Sequence, residues 1–345
     1  MKIAIVSDTH LSARNDLQIL LDKQDEFWRE HFFPELKRRN IDTIYHLGDF
    51  FDKRQFVTVK SMEYLNKFIS YLDEYDCSMQ MIVGNHDILY RNTLEHNSPK
   101  YMFSSTDRVT VLEEVTELGN VLMVPWITKE NYVETMNKIN STKCLYCFGH
   151  FEISGFELHK GQVHEGGLKP ELFAKFHKVL SGHFHTRSKS DNIEYIGSPF
   201  EITWNDFNDA RGYHIFDTDT GELEFIEYKN NLFYKAEYSD GKVDWIPERP
   251  INLVNTFIKL IVRHKSSYVE YDNFLKHLYS QNPSDIQIFD SIESTNIESI
   301  DESTESLSNL EIITKKINVL DLHHTQREYL IKYMSGLYWE SIKAS

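Results

Sequence analysis

No stretch of this 345-residue chain approaches the ~18 consecutive apolar residues that a membrane-spanning helix requires. The amino-terminal "IAIV" is too short for the core of a signal peptide, and Asp8 follows at once. A cytoplasmic location without membrane contact is expected. Cysteine is scarce: Cys77, Cys144 and Cys147 cannot form a disulfide framework in a chain this size, which points to a reducing compartment. The C-x-x-C formed by Cys144 and Cys147 falls inside "KCLYCFGHF", which reads as a strand. Positions three apart on a strand face opposite ways, so core packing is expected there and not a metal or redox pair. Positive charge is in deficit too, with 37 Lys and Arg against 53 Asp and Glu, a net charge of −16. That balance argues against binding nucleic acid through the overall field of the protein. Half of the excess is local. Eight carboxylates and no lysine or arginine lie between Asp285 and Glu311. An anionic substrate held by metal ions therefore stays open. No internal repeat is visible.

What is present is an apolar fraction of 41%, enough for a proper core in one large domain plus something smaller. The first two hundred residues alternate short apolar or β-branched runs with amphipathic stretches, the pattern of an α/β fold. Strands are expected at "KIAIVS", "TIYHLG", "QMIVG", "CLYCFG" and "KVLSG", and helices over 16–39, 60–75, 129–139 and 170–176. The runs "RVTVLEE" and "NVLMVPWI", joined through Gly119 and Asn120, suggest a hairpin in a second sheet. "GYHIFDTDTGELEFIEY" reads as a hairpin turning at 219–221 that closes the first domain. After "WIPERP" a β-α-β set, "FIKLIVRH", "YDNFLKHLYSQ" and "SDIQIFDS", predicts a small accessory unit. Residues 291–311, rich in Ser, Thr and acid, read as a flexible linker. A capping box of Thr325 and Glu328 then opens a helix with Tyr329, Leu330, Tyr333, Met334, Leu337 and Tyr338 on one side. Such a helix either docks on its own domain or binds a partner.

The chemistry lies where the expected strands stop. Asp8 and His10 follow "IAIVS", Asp49 follows "TIYHLG", and Asn85, His86 and Asp87 follow "QMIVG". His150 follows "CLYCFG", and His183 and His185 follow "KVLSG". In open α/β sheets the carboxyl ends of strands form the edge where ligands bind, and a glycine before each polar residue permits a sharp turn and close backbone approach. Asp, Asn and His without thiolate suit borderline-hard divalent ions such as manganese, iron or zinc. Asp8, His10, Asp49, Asn85, His150, His183 and His185 make seven ligands, too many for one ion and suited to two that share a carboxylate. Two such ions serve hydrolysis of phosphate esters. His86 beside them is a candidate general acid, with the adjoining carboxylate fixing its tautomer.

The set "SDTHL", "LGDFFD", "VGNHD", "FGHF" and "SGHFHT" resembles the calcineurin-like metallophosphoesterase superfamily. With "IGSPFEITWND" added, the chain is most similar to the SbcD-type nuclease subunits of DNA repair, including recombination endonuclease subunits of tailed bacteriophages. The resemblance implies a two-sheet α/β/β/α sandwich with a small α+β cap and a carboxyl-terminal helix. It implies a nuclease domain over 1–230, a cap over 231–290, the acidic linker over 291–311 and a partner-binding helical segment over 312–345. Asp8, His10 and His185 would hold one manganese, Asn85, His150 and His183 another, and Asp49 would bridge them. His86 would serve as catalytic proton donor, oriented by Asp87. DNA would be cut by 3′-to-5′ exonuclease and single-strand endonuclease activity, gated by an SbcC-type SMC-like ATPase bound through the terminal helix. A homodimer is expected, in a host cytoplasm if the source is viral.

Family members vary at Asp52, where an outer role supporting a ligand is expected. His46 reads as a packed histidine. Lys53, Arg54, Arg91, Lys160, Arg187 and Lys189 lie beside the motifs as candidates for DNA phosphate contact. His159 and His164 sit in a Gly-rich segment that could form a substrate loop. A phosphatase, a cyclic-nucleotide phosphodiesterase, or a scaffold whose metal site is architectural remain alternatives, because the metal site does not choose its own substrate.

Overall fold

The computed structural model describes residues 1–159, 162–248 and 252–290, and beyond them only Ile317, Arg327 and residues 329–334. The expected linker, Lys160, and most of the terminal segment lie outside the described residues. Of the terminal helix, residues 329–334 are helical.

In chain order the strands are β1 (Lys2–Val6), β2 (Thr43–His46), β3 (Ser78–Ile82), β4 (Val109–Leu112), β5 (Thr116–Leu118), β6 (Val121–Val124), β7 (Tyr146–His150), β8 (Glu157–His159), β9 (Gln162–Val163), β10 (Lys178–Gly182), β11 (Ser188–Ser190), β12 (Ile193–Tyr195), β13 (Gly212–Asp217), β14 (Leu223–Glu227), β15 (Phe233–Ser239), β16 (Lys242–Ile246), β17 (Phe257–His264) and β18 (Asp285–Asp290). One sheet has the order β14-β13-β1-β2-β3-β4 and a second the order β11-β12-β10-β7-β6-β5. β1 to β4 run parallel to one another, as do β6, β7, β10 and β12.

Strand alternation builds the layers. Ile3 and Ile5 of β1 pack with Tyr45, Phe148 and Leu180 in a core made by both sheets. Their neighbours Ala4 and Val6 join Phe27, Phe33, Leu65 and Phe68 of the helices on the outer side. On the other sheet Cys147 and Val179 turn away from Phe148 and Leu180 to meet Ile139 of helix Tyr132–Ser141. Each parallel strand is thus apolar on both faces, as a strand covered on both sides must be. The result is the helix/sheet/sheet/helix sandwich expected above.

Four local expectations are corrected. Val109–Leu112 is not the hairpin partner of β6. It pairs parallel to β3 in the first sheet, and the three-residue β5 makes the hairpin across Gly119 and Asn120. The first helix begins at Gln18, because Arg14, Asn15 and Asp16 all take left-handed backbone. Within that helix Phe27–Phe32 is a π turn. Its i→i+5 pattern brings residues five apart onto one face, so Phe27 with Phe32 and Trp28 with Phe33 all reach the core. The segment at 170–176 is a short 3₁₀ turn over Pro170–Phe173. The cysteines do pack, yet Cys144 precedes β7, and both thiols enter one cluster instead of opposite faces. Burial pushes both of them up.

The accessory elements form a four-stranded sheet, β16-β15-β17-β18, with helix Tyr268–Ser280. Its own core contains Tyr234, Tyr238, Leu260, Val262 and Leu278. Phe233 and Phe257 at its base join the same cluster as Phe27 and Phe200, and residues 1–289 form one compact unit. Among the described residues no helix is long and apolar enough to cross a membrane.

Candidate metal centre

The loops leaving β1, β2 and β10 turn through left-handed backbone at non-glycine residues: Asp8 (φ 54°), His10 (φ 45°), Asp49 (φ 55°) and His183 (φ 88°). That conformation costs an L-residue ~1–2 kcal/mol and persists only where surrounding structure enforces it. Here the enforcement is visible. The first loop is zipped to the second through Asp8 N–H to Gly48 O (3.1 Å), His10 N–H to Asp49 O (3.1 Å) and Leu11 N–H to Phe50 O (2.7 Å). The second sheet is tied in by the His183 amide, which donates to both carboxylate oxygens of Asp8 at 3.0 and 3.1 Å.

These turns bring all seven candidate ligands together. Asp8, His10 and His185 form one group and Asp49, His150 and His183 another, with the ligand atoms of each group within 4.8 Å of one another. Asp49 lies between them: its Oδ2 is 3.3 Å from His150 Nε2 and 3.9 Å from His10 Nε2. Asn85 Oδ1 is 3.0 Å from His150 Nε2. Asp8, His10, Asp49, Asn85 and His150 are buried, whereas His183 and His185 are part-exposed.

The electrostatics favour positive charge at this centre. His150 Nδ1 lies 2.7 Å from the carbonyl of Leu47, which can only accept, so Nδ1 carries a hydrogen and the Nε2 lone pair is the one open to a proton or a metal ion. That lone pair faces the oxygens of Asp49 and Asn85. His10 Nε2 and His185 Nε2 likewise face each other at 3.0 Å. Nitrogen and oxygen acceptors packed this closely repel unless positive charge sits among them. Burial alone would lower both imidazoles, but the carboxylates of Asp52, Asp49 and Asp8 push His10 up to about 9, and those of Asp49 and Asp8 push His150 up to about 9. Burial would raise Asp49, yet the imidazoles of His150, His10 and His86 hold it well below the usual carboxylate range. His183, by contrast, is pushed down to about 3 by burial and by His150. A donor set of imidazole nitrogen, carboxylate and one amide oxygen, without sulfur, fits two borderline-hard divalent ions.

The family model for the calcineurin-like phosphoesterase superfamily domain matches residues 1–221. The chain belongs to this superfamily. It is a metal-dependent phosphodiester hydrolase. Exonuclease subunit 1 of Enterobacteria phage T4 is 30% identical over 348 residues, covering 99% of this chain and 99% of the relative. The SbcD component of the SbcCD nuclease of Staphylococcus epidermidis is 24% identical over 260 residues, covering 65% and 67% of the two chains. Among solved structures, a dimetal phosphatase from Danio rerio superposes with a TM-score of 0.38 at 9% identity, covering 62% of this chain and 91% of that one.

Within this superfamily site the neighbours of the ligands differ in part from expectation. His86 Nδ1 is 2.9 Å from the backbone carbonyl of Asp52, which fixes the ring, and burial lowers its pKa. Asp87 does not orient His86. Its Oδ2 accepts from the amides of Asp49 and Gly84, both at 2.9 Å, and its Oδ1 from the amide of Phe51 at 3.1 Å. Adjacent residues on a tight turn point apart, and the buried amides of two loops claim both oxygens. Asp52 Oδ1 lies 3.4 Å from His10 Nδ1, within reach of the supporting role expected of it. His46 is packed, with its Nε2 3.1 Å from Thr9 Oγ1.

Sequence reasoning assigned no role to Asp206, Arg211 or Trp126. Arg211 donates to the His185 carbonyl and pairs at 3.0 Å with Asp206, whose Oδ1 is 3.8 Å from His185 Nδ1. Asp206 sits in "IGSPFEITWND", the one signal that could have found it. Of the basic candidates, Lys53 lies 3.9 Å from Asp16, and Arg187 and Lys189 share Glu194 at 3.8 and 3.6 Å. Arg54 and Arg91 form no salt bridge among the described residues. His164 pairs with Glu152 at 2.9 Å. The side chain of His159 lies outside the described residues.

Proposed function

We propose that the protein is a DNA nuclease of SbcD type, a 3′-to-5′ exonuclease and single-strand endonuclease that acts with an SbcC-type ATPase. The observation that carries the reading is the placement of Asp49 Oδ2 within 3.3 and 3.9 Å of imidazoles from both ligand groups. A full-length likeness to a phage exonuclease subunit supports DNA as the substrate in preference to a small phosphate ester. Asp8, His10 and His185 would hold one divalent ion, Asn85, His150 and His183 the other, and Asp49 would serve both, with manganese as the expected metal. When bound, the ions supply positive charge against the phosphodiester and acidify water near neutral pH. The protein's own residues do the rest. The Asp8, Asp49 and Asp87 hydrogen bonds to backbone fix ligand positions before substrate arrives. His86 has its Nδ1 hydrogen committed to the Asp52 carbonyl, so Nε2 is a proton acceptor while the ring is neutral and a donor once it is protonated. Approach of an anionic phosphate favours the protonated ring, which then donates to the leaving oxygen. The domain plan, with nuclease over 1–230, cap over 231–290, linker over 291–311 and partner segment over 312–345, follows the same reading, as does a homodimer.

End-labelled duplex and single-stranded DNA, incubated with and without manganese and partner, test this. Hydrolysis dependent on manganese and lost by at least ~10³-fold in Asp49→Ala is expected; equal rates for that variant and the parent would reject the assignment.

A further inference from the structure

The ligand His185 is gripped by residues that follow it at a distance in the chain. Arg211, 2% exposed, donates through Nη1 to the His185 carbonyl, and to Ser198 Oγ at 2.7 Å. Through Nη2 it donates to Asp206 Oδ1 and Asp209 Oδ2, both at 3.0 Å. The same Asp206 Oδ1 lies 3.8 Å from His185 Nδ1, while Nε2, across the ring, faces His10 Nε2 at 3.0 Å. One buried ion pair therefore addresses both the backbone and the ring of His185.

The approach is built into the chain. The Ser198 amide also donates to the His185 carbonyl, at 3.1 Å. Gly197, at φ +72°, lets the backbone pass that close, since a Cβ there would lie 2.7 Å from the same oxygen. Asp206, 1% exposed, already closes its own turn without the imidazole. Its Oδ2 accepts from the amides of Ile202 and Thr203, both at 2.8 Å, as part of the capping box on the 3₁₀ turn Trp204–Asp206. The Trp204 ring, 4.7 Å from Phe233 of β15, seats that turn on the base of the accessory sheet. Two amides thus commit one oxygen, which leaves Oδ1 for Arg211 and the ring.

The consequence lies in the tautomer. An ionised carboxylate only accepts, so an imidazole beside it keeps its hydrogen on the near nitrogen. With that hydrogen on Nδ1, the Nε2 lone pair is open to an ion; with it on Nε2, the ring cannot ligate through that atom.

We infer that Asp206, oriented by Arg211, is a positioning residue that holds His185 in the tautomer able to bind a metal ion. This role rests on the two-ion reading above and adds to it a residue outside the ligand set.

Long-range proton–nitrogen correlation spectra of the full chain in chelator, at about pH 8 and so above the usual histidine range, test it. The parent should carry the His185 hydrogen on Nδ1. Asp206→Asn keeps an oxygen for the Ile202 and Thr203 amides and turns its NH₂ toward the ring, so the hydrogen should move to Nε2. Arg211→Lys keeps the charge and loses the fork, and should show both tautomers. In calorimetric titration with manganese, Asp206→Asn should bind one of two ions at least ~10-fold more weakly and the other as the parent does. A purely structural Asp206 would lower the melting temperature of its variant and leave the hydrogen on Nδ1. Hydrogen on Nε2 in the parent, hydrogen kept wholly on Nδ1 in either variant, or equal manganese affinity would overturn the assignment. The first of these needs no variant, and Arg211→Lys decides the matter if Asp206→Asn does not fold. A parent that binds no manganese would instead sink the two-ion reading, while the spectra in chelator still report on Asp206.

Discussion

A single methyl at position 84 would lie 2.2 Å from Asp49 Oδ1 and 2.3 Å from the Asp49 amide nitrogen, closer than any real Cβ contact. The glycine before Asn85 is therefore a requirement of the carboxylate between the two ligand groups, more than of the turn. Gly84→Ala must displace Asp49, and displacement of a reacting geometry by ~1 Å costs ~10²-fold. Hydrolysis is expected to fall at least that far, with manganese affinity by calorimetry falling alongside it. Asp87 makes a contrasting case. Burial and the neighbouring Asp49 charge push it up to about 7, against the lowering pull of the Gly84 and Phe51 amides. Asp87→Asn replaces one of two accepting oxygens with a donor, leaving a buried amide unpaired at ~1–3 kcal/mol. The melting temperature should drop by roughly 2–5 °C. An unchanged melting temperature with lost activity would instead restore Asp87 to an orienting role toward His86. The clustering of the seven candidate ligands was legible in sequence because each polar residue directly follows an apolar run, and strand ends are a one-dimensional feature. The partner of His86 was not, since adjacency in sequence says nothing about which way two side chains leave a turn.

The same limit operates on elements. β1, β2, β3, β7 and β10 were legible because strands buried on both faces are continuous apolar runs bounded by glycine. Which sheet β4 joins was not, since its residues would fit the edge of either sheet, and the three-residue β5 has too little pattern to announce itself. The π turn at Phe27–Phe32 was hidden for a related reason: a four-aromatic cluster satisfies a core equally well in several helical registers until the facing sheet selects one. One junction between elements has a pH consequence. Glu201, 2% exposed, accepts from the amides of Leu232 at 2.6 Å and Phe233 at 3.0 Å, where β15 begins. Burial pushes its carboxyl up to about 7 from an ordinary 4.5. A folded pKa above the unfolded one means that the folded state holds the proton more tightly. Its stabilising share is complete below pH ~4.5 and is lost as pH rises through about 7, on the order of 2–4 kcal/mol. Glu201→Gln keeps an accepting oxygen and cannot ionise. Melting temperatures in chelator between pH 4.5 and 8 should fall for the parent relative to the variant; parallel curves would refute the assignment.

Charge organises the molecule as a whole. With a net −16, half of it between Asp285 and Glu311, the chain has no global field to draw a polyanion in. Of the basic side chains beside the site, Lys53, Arg187 and Lys189 lie close to carboxylates. Among the described candidates only Arg54 and Arg91 form no salt bridge; two arginines make few phosphate contacts, and duplex affinity grows with the number of phosphates neutralised. On the proposed reading the DNA would then be delivered by a partner, and the place to look for its contact is past Asp290. There the described helical residues 329–334 include Tyr329 and Tyr333, 71% and 54% exposed, with their rings stacked at 6.3 Å. Exposed aromatics one turn apart are the anchors by which an amphipathic helix docks into a groove. Residues 1–289 and 290–345 divide into separate compact units, so the two tasks are separable by truncation. A chain ending at Asp290 should hydrolyse short single-stranded DNA with manganese within about twofold of the full chain, because every candidate ligand precedes that point. It should fail to co-purify with an SbcC-type ATPase and lose the stimulation that the ATPase gives on duplex ends. Retained co-purification would place the partner contact on the first unit, and lost hydrolysis of the short strand would mean that the terminal segment completes the metal centre.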